Sequence, residues 1–160
     1  MAQTSEKVKK ETTSLNEVEV RHIEPFQYVY YEFKGSYMEA FKDFPKLMEY
    51  LGKNGIQPGK YSLGVYYDDP LDVPEKDLRS EIGMMVTKPE KVSDGYKYKN
   101  VDGFKAATIR YTEMEQIMDA YDKVFKYVES NGMTPAAAPF EFYYSYEPGN
   151  LDCEIIVPVE

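Results

Sequence analysis

Two glutamates occupy positions where a carboxylate could bind a cation. Glu81 and Glu154 each stand second in a short β-rich run, and each is followed by isoleucine. Glu154 is the only charged residue in its run before the chain ends at Glu160. A carboxylate is costly to bury in an apolar strand without a partner. Either it faces solvent or pairs with a nearby lysine or arginine, or it lies in a pocket that accepts a cationic ligand.

Tyrosine is the abundant aromatic residue: the chain has 16 Tyr, 8 Phe and no Trp. Aromatic faces attract a cation through their quadrupole, and a desolvated carboxylate attracts it by charge. Each cation–π contact is worth roughly 0.5–2 kcal/mol, so several rings and one carboxylate predict micromolar affinity for a lipophilic cation. The alternative is that these rings fill the core, because aromatic residues are common in strands. The tyrosines of the predicted strands are Tyr28, Tyr30, Tyr31, Tyr66, Tyr67, Tyr143, Tyr144 and Tyr146.

Other kinds of chemistry have no signature in the sequence. There is no glycine-rich phosphate loop, no nucleophile elbow and no metal-ligand spacing. Cys153 and His22 are the only residues of their types, which excludes a disulfide framework and a zinc site of several cysteines or two histidines. We expect Cys153 to be a small buried hydrophobic residue and His22 to be structural. The sequence therefore predicts no catalytic residue, no metal site and no cofactor.

The charge and hydropathy of the chain limit its partners. The formal net charge is −9, which disfavours nucleic acid or an anionic membrane as a direct partner. No apolar run reaches the ~18 residues of a membrane-spanning helix, and the N-terminus lacks the apolar stretch of a signal peptide. These observations favour a cytoplasmic protein, and we expect it to be a monomer. Residues 1–16 are polar and predict a flexible tail, and 17–160 have the length of one domain.

The apolar face of a predicted helix recurs 77 positions later in the chain. The spacing in both segments is typical of an amphipathic helix. Both segments end at Asn-Gly, a helix stop signal, at Asn54-Gly55 and at Asn131-Gly132. The sequence thus predicts an internal repeat, with units at about 17–87 and 95–159. The matching residues are Tyr37, Ala40, Phe41, Phe44, Leu47, Met48 and Leu51 in the first segment, and Met114, Ile117, Met118, Tyr121, Val124, Phe125 and Val128 in the second.

Each predicted helix is flanked by two β-rich runs on either side. The two-residue breaks at Glu24-Pro25 and Asp102-Gly103 predict that the first two strands of each half form a hairpin. Pro45 predicts either a short turn over 36–42 before a helix capped by Asp43, or one helix with a kink. Two strand–strand–helix–strand–strand units predict an α+β fold with a largely antiparallel eight-stranded sheet and two main helices.

The sequence resembles the GyrI-like small-molecule-binding domains, which also serve as effector-binding domains of MerR- and AraC-type multidrug regulators. The resemblance extends over about 17–159 and is most specific in the closing Asp-x-Glu-Ile-x-x-Pro-Val pattern. It implies a duplicated fold with a central cleft, in which a glutamate of the last strand lies among aromatic residues and contacts cationic aromatic ligands. The segments that carry the resemblance are Val20–Phe26, Tyr31–Tyr37, Leu78–Gly83 and Tyr146–Val159.

The resemblance favours a ligand-binding module for amphipathic, cationic aromatic molecules. Glu154 matches the family's cleft glutamate, and we expect Glu81, Tyr67, Tyr144 and Tyr30 to bind the ligand with it. Two alternatives remain from other relatives. One is a hydrolase of electrophilic small molecules, in which a cleft Glu/Tyr pair activates water. The other is an inhibitor that binds DNA gyrase. Binding is favoured over catalysis.

Overall fold

The computed structural model describes residues 16–160. The predicted tail lies outside the described residues, apart from Asn16. Two helices are present in the described part of the chain, α1 (Phe44–Lys53) and α2 (Ile117–Ser130). No helix in residues 16–160 is long and apolar enough to cross a membrane.

Eight strands form one antiparallel sheet, in agreement with the predicted α+β class. Their order across the sheet is β1-β6-β8-β7-β3-β4-β2-β5. Exchanging β1–β4 for β5–β8 reproduces this order, so the two halves of the chain occupy matching places. The strands are β1 (Glu19–Ile23), β2 (Phe26–Lys34), β3 (Pro58–Tyr66), β4 (Arg79–Val86), β5 (Lys97–Val101), β6 (Phe104–Tyr111), β7 (Phe140–Glu147) and β8 (Asn150–Pro158).

The sheet curls into a half-barrel with an inner and an outer face. Phe26 of β2 contacts Phe104 of β6 with ring centroids 6.5 Å apart, although four strands separate β2 and β6 in the sheet. Strands so far apart can meet only across the concave side, so this is the inner face. Because side chains alternate along a strand, the opposite positions face outward, where α1 and α2 cover them.

The predicted hairpins at Glu24-Pro25 and Asp102-Gly103 do not form. β1 pairs with β6 of the other half, and Ile23 lies opposite Phe104. β5 pairs with β2, and Val101 lies opposite Phe26. The short linkers therefore pass between the two edges of the curled sheet instead of turning a strand back on itself. The sequence pattern of two strands and a tight linker is the same in both cases, so only tertiary pairing distinguishes them.

The ends of both helices follow the predicted signals. Gly55 and Gly132 adopt positive φ values of 66° and 70°, which glycine reaches without steric cost. The amide groups of Asn54 and Asn131 each donate to a carbonyl four residues earlier, at 2.8 Å. At Pro45, the short-turn alternative is confirmed: a 3-10 turn precedes α1, which begins after Asp43, although the Asp43 side chain makes no capping hydrogen bond.

Candidate functional site

Glu154 lies on the inner face and is already paired with a cation. Its side chain is 3% exposed, and Arg21 Nη2 of β1 lies 2.6 Å from its Oε1. Tyr144 of β7 donates its hydroxyl to the same oxygen at 2.6 Å. The guanidinium of Arg110, directly opposite Glu154 in the sheet, lies 4.5 Å from the centre of the Tyr144 ring. Glu154 is therefore both buried and paired with an arginine, two features that belong to different alternatives in the sequence analysis.

Glu81 occupies the matching place in the first half. Tyr67 and Tyr28 donate their hydroxyls to its two oxygens at 2.6 and 2.8 Å. Lys99 of β5 places its ammonium 3.0 Å from Glu81 Oε2. The same ammonium lies 5.0 Å from the centre of the Tyr30 ring, in cation–π contact. A buried carboxylate, tyrosine hydroxyls and a cation from an edge strand therefore occur together in both halves.

The structure places all five predicted ligand residues on the inner face, in two groups. Tyr144 contacts Glu154, and Tyr67 contacts Glu81, with Tyr30 beside the ammonium that neutralises Glu81. Their role in ligand binding stays a prediction. In each group a lysine or arginine of this chain holds the carboxylate, so a cationic ligand would have to displace it.

A third buried glutamate, Glu141 of β7, has no cation. Its residue is 7% exposed and lies on the outer face, beneath α2. Tyr111 donates to Glu141 Oε1 at 2.8 Å, Tyr143 donates to the same oxygen at 3.2 Å, and Tyr121 of α2 makes a short hydrogen bond to Oε2. Among residues 16–160, no lysine, arginine or histidine forms an ion pair with Glu141. Its charge is therefore balanced only by hydroxyl dipoles.

The surroundings of Glu141 shift the pKa values of the whole cluster. Burial raises the pKa of the Glu141 carboxyl above its ordinary value of 4.5, and the three tyrosine hydrogen bonds offset only part of this effect. Burial first, and then the carboxylate charge, raise the pKa values of Tyr111 and Tyr121. The hydroxyls therefore stay protonated and act as donors.

Aromatic rings from both halves of the chain enclose this carboxylate. Tyr66 of β3 hydrogen-bonds through its hydroxyl to the hydroxyl of Tyr143. Phe41, in the 3-10 turn before α1, lies edge-on to Tyr143 at 5.1 Å and stacks on Tyr146 at 5.7 Å. We call the set Glu141, Phe41, Tyr66, Tyr111, Tyr121, Tyr143 and Tyr146 the Glu141 cage. It lies where the two halves of the sheet meet, because β3 and β7 are neighbours.

Two residues beside Tyr66 shape the floor of the cage. Gly64, opposite Glu141 in the sheet, has no side chain, and the Tyr66 ring fills the space above it, since a Cβ there would lie 2.6 Å from the Tyr66 hydroxyl. Ser80 lies opposite Tyr66 on β4, and its buried hydroxyl has no hydrogen-bond partner in the described part of the chain. A polar atom without a partner is costly to bury, so this region can accept a further donor or acceptor.

Sequence reasoning missed Glu141, although the signal was present. In the alternating run of β7, Phe140, Phe142 and Tyr144 face inward, so Glu141 and Tyr143 share the outer face. An irregularity in pairing between Tyr143 and Ser145 then brings Tyr146 beside Tyr143, with ring centroids 5.3 Å apart. Strict alternation would put Tyr146 with Tyr144 instead. A charged residue on the helix-covered side of an aromatic strand was therefore the clue.

Cys153 and His22 take no part in these sites. Cys153 is fully buried in the core beneath α2, and burial raises the pKa of its thiol to about 12, so it is inert at neutral pH. His22 lies on exposed positions of β1. No group of three or more His, Cys, Asp or Glu side chains within 16–160 is arranged to hold a metal ion.

A family model for the GyrI-like small molecule binding domain matches residues 16–160, the whole of the described chain. The protein belongs to this family. The GyrI-like assignment agrees with the curled sheet, with the two helices on its outer face and with the resemblance noted in the sequence. One relative of this GyrI-like chain is the SPbeta prophage-derived candidate transcriptional regulator YosT of Bacillus subtilis (strain 168), 27% identical over 126 residues that cover 77% of this chain and 80% of YosT.

Solved structures share the fold of this GyrI-like chain. The C-terminal domain of EcmrR matches with a TM-score of 0.79 and 19% identity, over 91% of this chain and 98% of that domain. EcmrR in a complex with DNA matches with the same TM-score, and this chain spans 62% of its length. SAV2435 bound to tetraphenylphosphonium matches with a TM-score of 0.58 and 14% identity, over 91% of this chain and 94% of that protein.

Proposed function

We propose that this protein binds amphipathic, cationic aromatic small molecules and that Glu141 is the charged anchor of the site. The observation that carries the proposal is a buried carboxylate whose partners are tyrosine hydroxyls rather than a cation. A buried charge without a counter-ion is unfavourable, and a ligand cation would supply the missing charge. Glu81 and Glu154 already have such a partner.

The walls of the Glu141 cage suit the rest of such a ligand. Aromatic faces attract cations and bury apolar surface, and cation–π contacts add roughly 0.5–2 kcal/mol each. With one carboxylate and several rings, we expect micromolar affinity. Two comparisons support this ligand class: the family is one of small-molecule binding domains, and the similar protein SAV2435 is bound to tetraphenylphosphonium, a lipophilic cation.

A ligand that reaches Glu141 has to move side chains, because rings fill the cage. Phe41 and Tyr146 are the movable cover. Phe41 belongs to a 3-10 turn, whose hydrogen bonds are weaker than those of an α-helix, and Tyr146 is 49% exposed. Displacing Phe41 would also shift the start of α1. We propose that this coupling makes the protein a sensor or a sequestering module for such cations.

The test is calorimetric binding of tetraphenylphosphonium to the wild type, Glu141→Gln and Glu154→Gln. Each substitution leaves the side-chain volume nearly unchanged and removes one buried carboxylate. We expect Glu141→Gln to lower the affinity by tenfold or more, because the ligand loses its counter-charge. Glu154→Gln should stay within about threefold of wild type, since Arg21 already neutralises that carboxylate.

Two results would reject this assignment. One is an unchanged affinity in Glu141→Gln, once circular dichroism shows that the variant is folded. The other is the reverse pattern, in which Glu154→Gln loses binding and Glu141→Gln keeps it. That pattern would place the ligand on the inner face, where the sequence resemblance expected it.

A further inference from the structure

A cavity of about 390 Å³ lies at the end of β2 and β4. Glu32, Tyr67 and Glu81 line it from the inner face of the sheet, whereas Phe33 and Ser80 line it from the outer face, on which the Glu141 cage lies. A volume of this size is at the lower end of those that hold small organic ligands. Its lining residues are Glu32, Phe33, Lys34, Tyr67, Arg79, Ser80 and Glu81.

Two carboxylates in this cavity face each other directly. Glu32 of β2 and Glu81 of β4 are partners in the antiparallel register, so their side chains leave the same face side by side. Like charges in directly opposite positions repel and destabilise a sheet unless they are neutralised. Here one strand neutralises both, because Lys97 pairs with Glu32 at 2.7 Å and Lys99 with Glu81 at 3.0 Å.

The Lys99 ammonium occupies a complete binding site for an alkylammonium group. The Glu81 carboxylate accepts from it at 3.0 and 3.2 Å. The rings of Tyr30 and Tyr28 lie 5.0 and 5.9 Å from the same nitrogen. Glu81 itself is oriented by the hydroxyls of Tyr67 and Tyr28. A buried, oriented carboxylate with aromatic faces is what an ammonium ligand requires.

The two lysines can leave this site more easily than the carboxylate can. Their side chains are 55% and 37% exposed, whereas that of Glu81 is 5% exposed. Both stand on β5, a five-residue edge strand that pairs with β2 and with no other described strand. A released lysine returns to water at little cost, but Glu81 stays buried and needs a replacement cation.

We propose that this cavity binds a short linear diammonium compound, whose two ammonium groups replace Lys97 and Lys99 on Glu32 and Glu81. The methylene chain between them passes Tyr67, a residue that is 41% exposed and whose ring centre lies 5.8 Å from the Arg79 guanidinium. Arg79 and Lys34 at the rim are cationic and disfavour a third ammonium group. The site therefore selects a diamine over a monoamine, which meets only one carboxylate, and over longer polyamines.

The second half of the chain supplies the matched control. Glu154 is the counterpart of Glu81, but its partner in the sheet is Arg110 rather than a glutamate. Its ion-pair partner is Arg21. Arg110 in turn donates to both oxygens of Asp152 at 2.7 Å. A dication there would have to displace two guanidinium groups, which hold carboxylates in a more fixed geometry than an ammonium does, so we expect the first half alone to hold a diamine.

The experiment is titration calorimetry of the full chain with putrescine and with butylamine, a monoamine of the same chain length. We expect wild type to bind putrescine at least tenfold more tightly than butylamine. Lys99→Met removes the internal competitor and should raise putrescine affinity by tenfold or more. Because Lys99→Met leaves Glu81 unpaired and costs stability, Lys97→Met, whose partner Glu32 is exposed, provides a second variant that we expect to change affinity in the same direction.

The remaining variants separate the dicarboxylate site from a general effect of charge. Glu32→Gln should reduce putrescine affinity to the level of butylamine. Lys53→Met raises the net negative charge as Lys99→Met does but breaks only an exposed pair with Glu49, and it should leave putrescine affinity within about twofold of wild type. Equal affinities for the two amines in wild type would overturn the proposal. So would an absence of any gain in both lysine variants, or an equal gain in Lys53→Met.

Discussion

Three buried glutamates of this protein differ in how their charge is balanced. Glu81 and Glu154 accept from tyrosines and also pair with a cation from an edge strand. Within residues 16–160, Glu141 accepts from tyrosines alone, in the core beneath α2. A hydroxyl dipole compensates a buried charge less well than an ion does. The residue with the least compensated charge is therefore the one that gains most from a cationic ligand.

The raised pKa of Glu141 makes stability depend on pH. Between its ordinary value of 4.5 and the raised value, the folded protein keeps a proton that the unfolded chain has lost. The free energy of unfolding of wild type therefore falls relative to Glu141→Gln as pH rises through this window, by about 1.4 kcal/mol per pH unit. Urea unfolding of both proteins from pH 4 to pH 8 measures the difference. A difference that stays constant over this range would show that Glu141 ionises in the fold as easily as in the unfolded chain.

At the scale of elements, the edge strands are the parts that cross between halves. β1 and β5 each leave their own half and pair with a strand of the other. Each edge strand also brings one cation to a buried glutamate two strands away, beyond the strand with which it pairs. The ion pairs of Arg21 and Lys99 thus stabilise β1 and β5, the two strands for which the sequence pattern predicted the wrong partner.

The Arg21–Glu154 pair should stabilise β1 measurably. Arg21→Met should lower the free energy of unfolding by about 1.5–3 kcal/mol, the range for a hydrogen bond to a charged group. The double variant Arg21→Met/Glu154→Gln should recover much of this loss, because it no longer buries an unpaired carboxylate. Chemical denaturation of wild type, Arg21→Met, Glu154→Gln and the double variant gives the coupling energy between the two residues. Lys53→Met serves as control, because its pair with Glu49 is exposed and should contribute no more than about 0.5 kcal/mol. If Arg21→Met and Lys53→Met lower the free energy of unfolding equally, the burial of Glu154 has no energetic consequence.

At the scale of the whole molecule, the two halves are interlocked rather than placed side by side. The first half contributes β1 to one edge and the second contributes β5 to the other, and β3 pairs with β7 in the middle. The Glu141 cage also takes Phe41 and Tyr66 from the first half and the other members from the second. Neither half can complete its own sheet or its own site.

We therefore expect a single cooperative unfolding transition for the whole chain. Far-ultraviolet circular dichroism and tyrosine fluorescence should give the same urea midpoint. Fragments 16–92 and 93–160, prepared separately, should lack a cooperative transition, and mixing them should restore one. A fragment that unfolds cooperatively by itself would show that the exchanged edge strands are dispensable.

Much of the fold could be predicted because its signals are local. Helix faces, the Asn-Gly stops and the strand runs depend on residues close together in sequence, and the structure confirms them. The alternation of β7 indicates that Glu141 faces the helices, but its surroundings could not be predicted in this way. They depend on Tyr66, Tyr111 and Tyr121, which come from three other elements. The glutamates chosen from sequence were indeed buried, but their partners Arg21 and Lys99 come from distant strands.

The sequence by itself determined the element order, the α+β class and the family, because periodicity and short motifs act within a few residues. The tertiary structure decided which strands pair, since a two-residue linker is compatible with either a hairpin or a crossover between edges. It also decided which buried carboxylate lacks a cation. Charge compensation acts through space, over a few ångströms between residues up to 133 positions apart in the chain, as Arg21 and Glu154 show.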